Sequence, residues 1–142
     1  MTIKTILHPT DFSEHSRSAF QLAASLAQTH GARVVVLHVQ FPTSEEMAAD
    51  FKLRKPDFSQ DLEHRFREYL ALEPNLKVER EVRDGKPAVE ILKLAESLPC
   101  DLIIMGTRGR TGIAHALLGS VAEEVIRNAK CPVVSVRASA AT

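Results

Sequence analysis

The sequence predicts a single-domain α/β protein built on an open five-stranded, mostly parallel sheet, strand order 3-2-1-4-5, with helices on both faces. Three observations predict it. Five short β-branched runs alternate with helical patterns along 142 residues, a length suited to one domain. The run Val34-Val35-Val36-Leu37-His38-Val39 does not alternate apolar with polar, as expected of a strand buried on both faces. Strand–helix alternation then implies parallel pairing through right-handed crossovers.

Each element can be justified in order. Residues 3–8, ended by Pro9, read as the first strand. A helix is expected over 13–29, with Phe20, Ala23, Ala24 and Ala27 on one face and Gly31 just past its end. Residues 34–39 form the second strand. The stretch 41–57 carries Pro42, Pro56, mixed charges and no clean period, and is expected to be a mobile connection with one helical turn. Phe58, Leu62, Phe66 and Leu70 then recur every four residues as one apolar helical stripe. Residues 76–82 alternate apolar with charged, which suits a half-exposed edge strand. Asp84-Gly85 turns the chain, and Pro87 suits the first position of a helix running to Leu98. Residues 101–105 form the fourth strand, a loop begins at Gly106, a helix follows over 120–129, and 133–136 form the fifth strand. This order is Rossmann-like, and such sheets bind ligands beyond the carboxyl ends of their strands where the winding reverses. The loops after the first and fourth strands are where a site is expected.

Composition narrows the function classes. Lysine plus arginine and aspartate plus glutamate each number 18, so the formal net charge is zero. No overall field draws the chain onto nucleic acid or an anionic membrane, and any anion site must be local. Apolar runs such as Val34 to Leu37 fall far short of the roughly 20 residues that cross a bilayer. Met1 to Lys4 begins no signal-peptide pattern. A soluble, cytoplasmic protein is expected. The two cysteines, Cys100 and Cys131, match no metal spacing and cannot staple a domain of this size; both are expected to be buried and reduced.

The loop after the fourth strand, Gly106-Thr107-Arg108-Gly109-Arg110-Thr111-Gly112 and on to Gly119-Ser120, holds four of the six glycines. Such a loop lets main-chain N–H groups approach an anion closely. The helix beginning at Ser120 aims its unpaired N–H groups and positive dipole end at the same place. Arg108 and Arg110 add local cations, and the whole forms a phosphate cradle. The same residues also read as a plain connector: Ser120 and Glu123 form an S-x-x-E capping box, and Glu123 and Glu124 oppose an anion. No P-loop lysine motif is present, and no G-x-G-x-x-G follows the first strand. After that strand, Pro9-Thr10-Asp11-Phe12-Ser13 offers the Asp11 carboxylate as an acceptor for a ribose hydroxyl or base amine. Its competing role is helix capping with Glu14.

Gly106, two residues, Gly109, nine residues, then Gly119-Ser120 resembles the nucleotide-binding signature of the universal stress protein family. The likeness extends to Asp101-Leu102-Ile103-Ile104-Met105 before it, to Cys131-Pro132-Val133-Val134 after it, and to the order of elements over nearly the whole chain. It implies an adenine nucleotide alpha hydrolase-like fold over residues 1–142 that binds ATP, ADP or AMP, with Mg2+ as the companion ion. Carried onto this sequence, the family's pattern puts Pro9, Thr10 and Asp11 against the nucleoside and the Val39 main chain against adenine. Met105 packs beside the nucleotide, and Gly106, Arg108, Gly109, Gly119, Ser120 and Val121 take the phosphate side. Ala122 departs from relatives that carry a hydroxyl there, which removes one donor. The resemblance also implies a homodimer through the last strand, residues 132–137, since an apolar edge strand is prone to pair with another copy.

No catalytic set is visible. His115 is a lone loop histidine, and His8 and His38 read as packing or polar-rim residues at strand ends. The expected function is a nucleotide-responsive, stress-related binding module, with slow ATP hydrolysis at most. Two alternatives stay open: a nucleotide-free dimerisation module, and an ATP-pyrophosphatase or adenylyl-transfer enzyme. The latter lacks its usual S-G-G-x-D-S loop.

Overall fold

The computed structural model describes residues 1–40, 60–107 and 119–138. The expectations for 41–57, Phe58, Arg108, Gly109, Arg110 and His115 lie outside these residues. The described elements run β1 (Thr5–Pro9), α1 (Glu14–His30), β2 (Arg33–Gln40), α2 (Gln60–Leu70), β3 (Val78–Asp84), α3 (Pro87–Ser97), β4 (Leu102–Gly106), α4 (Ser120–Asn128) and β5 (Val133–Val136). The sheet order is β3-β2-β1-β4-β5, and all four described pairings are parallel.

Successive strand residues point to opposite faces, so each central strand feeds two cores. Ile6, Val34, Val36, Leu102 and Ile104 pack with Phe20 and Ala23 of α1 and with Leu62, Phe66 and Tyr69 of α2. Leu7, Val35, Leu37, Ile103 and Met105 pack against Ile91 and Leu94 of α3 and Ala122 and Val125 of α4. Both faces are covered, which is why residues 34–37 of β2 and 102–105 of β4 read as continuous apolar runs. Each fully buried side chain of this size contributes about 1.5–3 kcal/mol.

The helix ends reflect local chemistry. Ser13 caps α1, its Oγ accepting the Ser16 N–H at 3.3 Å, and Gly31 ends the helix at φ 67° with its N–H on the Ala27 carbonyl. Neither predicted capping box forms. In α1 the cap falls on Ser13, so Asp11 lies outside the helix and Glu14 is its first residue. In α4 the cap is Gly119, which makes Ser120 the first helical residue and moves Glu123 one place past the position a box requires. Glu123 instead accepts from Arg127 Nη2 at 2.8 Å.

Two further expectations are resolved. Of the two readings of His8, packing holds: it is fully buried, stacked on Phe20 with ring centroids 5.4 Å apart. Cys100 is buried as expected, but Cys131 is only half-buried; both are free thiols.

Candidate functional site

Connections leave β1 and β4 in opposite directions: β1 leads through α1 to β2, whereas β4 leads through α4 to β5. Their carboxyl ends therefore form the reversal point of the winding, the place such sheets use for ligands. Pro9, Thr10 and Asp11 follow β1, Met105 and Gly106 end β4, Val39 lies near the end of β2, and Gly119, Ser120 and Val121 open α4. All nine lie toward the carboxyl edge of one sheet.

A tight hydrogen-bonded turn builds the first loop. The Thr10 N–H donates to the Leu37 carbonyl at 2.8 Å, which anchors the loop to β2. Thr10 Oγ1 accepts from the Phe12 N–H at 2.9 Å. Asp11 Oδ1 accepts from the Ser13 N–H at 2.9 Å and from the Ser16 hydroxyl at 2.8 Å, while Ser16 Oγ accepts the Asp11 N–H at 3.2 Å. Asp11 is thus held in a defined orientation by the first turn of α1, as a half-buried carboxylate.

Phe12 makes this turn with φ 66°, in the left-handed region; it is the one non-glycine residue with positive φ among the described residues. For a bulky side chain that backbone is strained. Aromatic packing offsets the strain: the ring lies 4.7 Å from His38, 5.2 Å from Phe66 and 5.4 Å from Tyr69, with the Arg65 guanidinium 5.6 Å over it. His38 Nδ1 donates to the Thr10 carbonyl at 2.9 Å. Sequence reading missed this wall. A phenylalanine carries no turn signal, and Tyr69 falls off the four-residue stripe that marked α2.

Beneath the wall His8 and Tyr69 share a polar link inside the core. The Ile104 carbonyl can only accept, so His8 Nδ1 donates to it at 2.8 Å. His8 Nε2 is 2.7 Å from Tyr69 Oη, which is also 2.8 Å from the Ser16 carbonyl. The phenol thus has one proton for two acceptors. A protonated His8 would satisfy all three contacts, but burial of the charge outweighs a hydrogen bond worth about 1 kcal/mol. Burial lowers the His8 pKa to about 4, against smaller upward contributions from the Ile104 hydrogen bond and Asp11. Burial likewise pushes the Tyr69 phenol up.

The second loop is tied off at Thr107. The Gly119 N–H donates to the Thr107 carbonyl, so the two residues flanking 108–118 are joined directly. The Thr107 N–H donates to the Val136 carbonyl at 2.9 Å. Thr107 Oγ1 is 3.3 Å from His15 Nδ1, which also accepts the Ala138 N–H at 3.0 Å. Thr107 and His15 therefore join the ends of β4 and β5 to the start of α1. Neither was singled out from sequence, because neither belongs to the glycine spacing that drew attention there. Met105 and Ala122 are both buried in the same core.

The two helix N-termini at the site differ. Ser13 and the Asp11 turn occupy N–H groups at the start of α1. Gly119 makes no side-chain hydrogen bond to the first turn of α4. The start of α4 thus retains the donor and dipole character that favours an anion.

Comparison with known proteins agrees with this architecture. The model of the universal stress protein family matches residues 2–137. The chain belongs to the universal stress protein family. The universal stress protein MJ0531 of Methanocaldococcus jannaschii is 37% identical over 141 residues, covering 94% of this chain and 82% of that protein. A universal stress protein of Thermus aquaticus is 35% identical, covering 94% and 98%. Among solved structures, MJ0577 of Methanocaldococcus jannaschii superposes with a TM-score of 0.83 at 32% identity, covering 99% of this chain and all of that one. A universal stress protein solved in complex with cAMP gives a TM-score of 0.70 at 28% identity, covering 98% and 100%.

Proposed function

We propose that this universal stress protein is an adenine-nucleotide-binding regulatory module, with the nucleotide held between the loop after β1 and the loop after β4. The observation that carries the reading is the closure of Thr107 on Gly119: it brings the end of β4 to the start of α4, a helix without a side-chain cap, at the reversal point of the sheet. The relative in complex with cAMP supports the ligand class.

In this reading Asp11 accepts from the ribose, beside Pro9 and Thr10, and the Val39 main chain meets the adenine. Gly106, Arg108, Gly109, Gly119, Ser120 and Val121 bind the phosphates, with Met105 packed beneath. ATP, ADP and AMP fit the same acceptor and donor set, and Mg2+ would accompany the di- or triphosphate. The role is binding rather than turnover. The module works as a homodimer joined through residues 132–137.

The test is thermal unfolding of nucleotide-stripped protein with and without millimolar Mg-ATP, alongside Gly109→Val. Ligand at 100 times its Kd adds about 2.7 kcal/mol, a rise on the order of 5–10 °C for a domain of this size. A shift in the wild type that vanishes in the variant sustains the reading. No shift in the stripped wild type replaces it with the nucleotide-free dimerisation module.

A further inference from the structure

At the opposite, amino-terminal edge of the sheet the chain's two cysteines face each other. Cys100 precedes β4 and Cys131 precedes β5, and their sulfurs are 3.6 Å apart. The register of the sheet brings them together. Ile103 pairs with Val133, so two residues back Asp101 is level with Cys131, and Cys100 is one step beyond. Parallel neighbours run about 4.8 Å apart, and a disulfide spans Cα atoms about 4.4–6.8 Å apart. Bringing the sulfurs to bonding distance, about 2.05 Å, requires a movement of about 1.5 Å, within reach of side-chain rotation.

The backbone around the pair is held in place. The Cys100 N–H donates to the Ala95 carbonyl at 3.1 Å and the Ile103 N–H to the Pro132 carbonyl at 3.0 Å. Asp101 Oδ2 accepts from the Lys4 and Thr5 N–H groups at 2.9 and 3.0 Å. The thiols themselves are unequal. Cys100 is 7% exposed, and burial, reinforced by the neighbouring Cys131, pushes its thiol up to about 12. Cys131 is half-buried. Both line a cleft of about 630 Å³ between α3 and the end of α4. Its floor includes Leu92, Ala95 and Pro99, and the Lys130–Glu96 ion pair (2.5 Å) lies at the same cleft. That volume is in the range of small-molecule sites, roughly 300–1,000 Å³.

We propose that Cys100 and Cys131 form a dithiol–disulfide couple whose oxidant is a low-molecular-weight disulfide entering this cleft and meeting Cys131 first. Cys131, as thiolate, attacks one sulfur of the incoming disulfide. That bond breaks, and one thiolate leaves and takes up a proton. Cys100 loses its proton to solvent and attacks the Cys131 sulfur of the mixed disulfide, expelling the second thiolate, which is protonated in turn. The protein dithiol is oxidised by two electrons, and the small disulfide is reduced to two thiols. The product links the positions two residues before β4 and two residues before β5, at the far end of both strands from Gly106. The proposal does not depend on nucleotide binding.

The full chain, reduced and desalted, is equilibrated with reduced and oxidised glutathione over a range of ratios and quenched with acid. It is then read by intact mass, by maleimide uptake and by non-reducing denaturing electrophoresis. The expected product is lighter by two hydrogen atoms, takes up no maleimide where the reduced chain takes two, and migrates as a single chain. In Cys100→Ser a glutathione adduct accumulates on Cys131, whereas in Cys131→Ser the adduct on Cys100 forms at least about tenfold more slowly. Wild-type adducts on both cysteines without loss of two hydrogens, interchain disulfides, or two thiols still reactive at every ratio would each overturn the proposal.

Discussion

A Cβ added to Gly106 would stand 2.8 Å from both the carbonyl carbon and the Cβ of His15. The glycine at the end of β4 is therefore required by the fold itself, since the first turn of α1 packs directly against it.

Gly106→Ala should consequently destabilise the protein in the complete absence of nucleotide. Two of the obstructing atoms are backbone carbon and oxygen, so the helix must move and the contact cannot be relieved by rotating a side chain. Overpacking of this kind costs about 1–3 kcal/mol. Urea unfolding of nucleotide-stripped protein measures it; an unchanged midpoint would mean that α1 shifts freely and that glycine serves only the ligand.

The His8 pKa makes a pH prediction. His8 falls from 6.5 to about 4 on folding, so the unfolded chain binds the extra proton between those values. Stability from this residue is fully present above pH 6.5 and is lost as pH falls toward 4. At 1.36 kcal/mol per pKa unit the loss is about 3 kcal/mol. His8→Phe should remove that slope while lowering stability at pH 7.5 by about 1–3 kcal/mol, because the Ile104 carbonyl loses its side-chain donor. Urea titrations at pH 4.5 and 7.5 separate the two effects. An identical pH slope in the variant would assign the titration elsewhere.

Much of the fold was legible because its physics is local. Runs such as Val34–Leu37 must be covered on both sides, and strand–helix alternation leaves few ways to do so. The glycine spacing likewise marked the stretch whose described ends, Thr107 and Gly119, are joined by a hydrogen bond. What escaped reading depends on contacts across the sheet. Phe12 takes a backbone conformation that only its packing on His38, Phe66 and Tyr69 makes tolerable, and His15 becomes a junction only when β4 and β5 end beside it. Both capping boxes failed because a one- or two-residue change in the cap reassigns every position after it.

Asp11 should contribute to stability and to ligand binding separately. Asp11→Ala strips the Ser13 N–H and the Ser16 hydroxyl of their shared acceptor, a loss of about 1–3 kcal/mol without ligand. Ser16→Ala should be non-additive with it, since the two side chains bond each other. A double-mutant cycle in stripped protein gives the structural coupling, and repeating it with Mg-ATP shows whether Asp11→Ala also reduces the ligand-induced stabilisation. Full additivity without ligand would remove the structural role.

The dimer prediction follows from which way the backbone of β5 points. The Pro132 and Val136 carbonyls accept from Ile103 and Thr107, so they face β4. Groups alternate along a strand, and those of Val133 and Ser135 therefore face outward, on the edge opposite β4. All four residues of β5 are half-buried, an apolar edge suited to a second copy. Ser135→Pro removes one outward N–H without touching the bonds to β4, a position where an edge strand tolerates proline. Val134→Lys challenges the apolar side chains instead. Sedimentation of the wild type should give twice the 15.7 kDa chain mass, and each variant should shift it toward one chain with the unfolding transition retained. A wild-type dimer indifferent to both substitutions would place the interface elsewhere. A monomeric wild type would leave the β5 edge without a second copy to pair with.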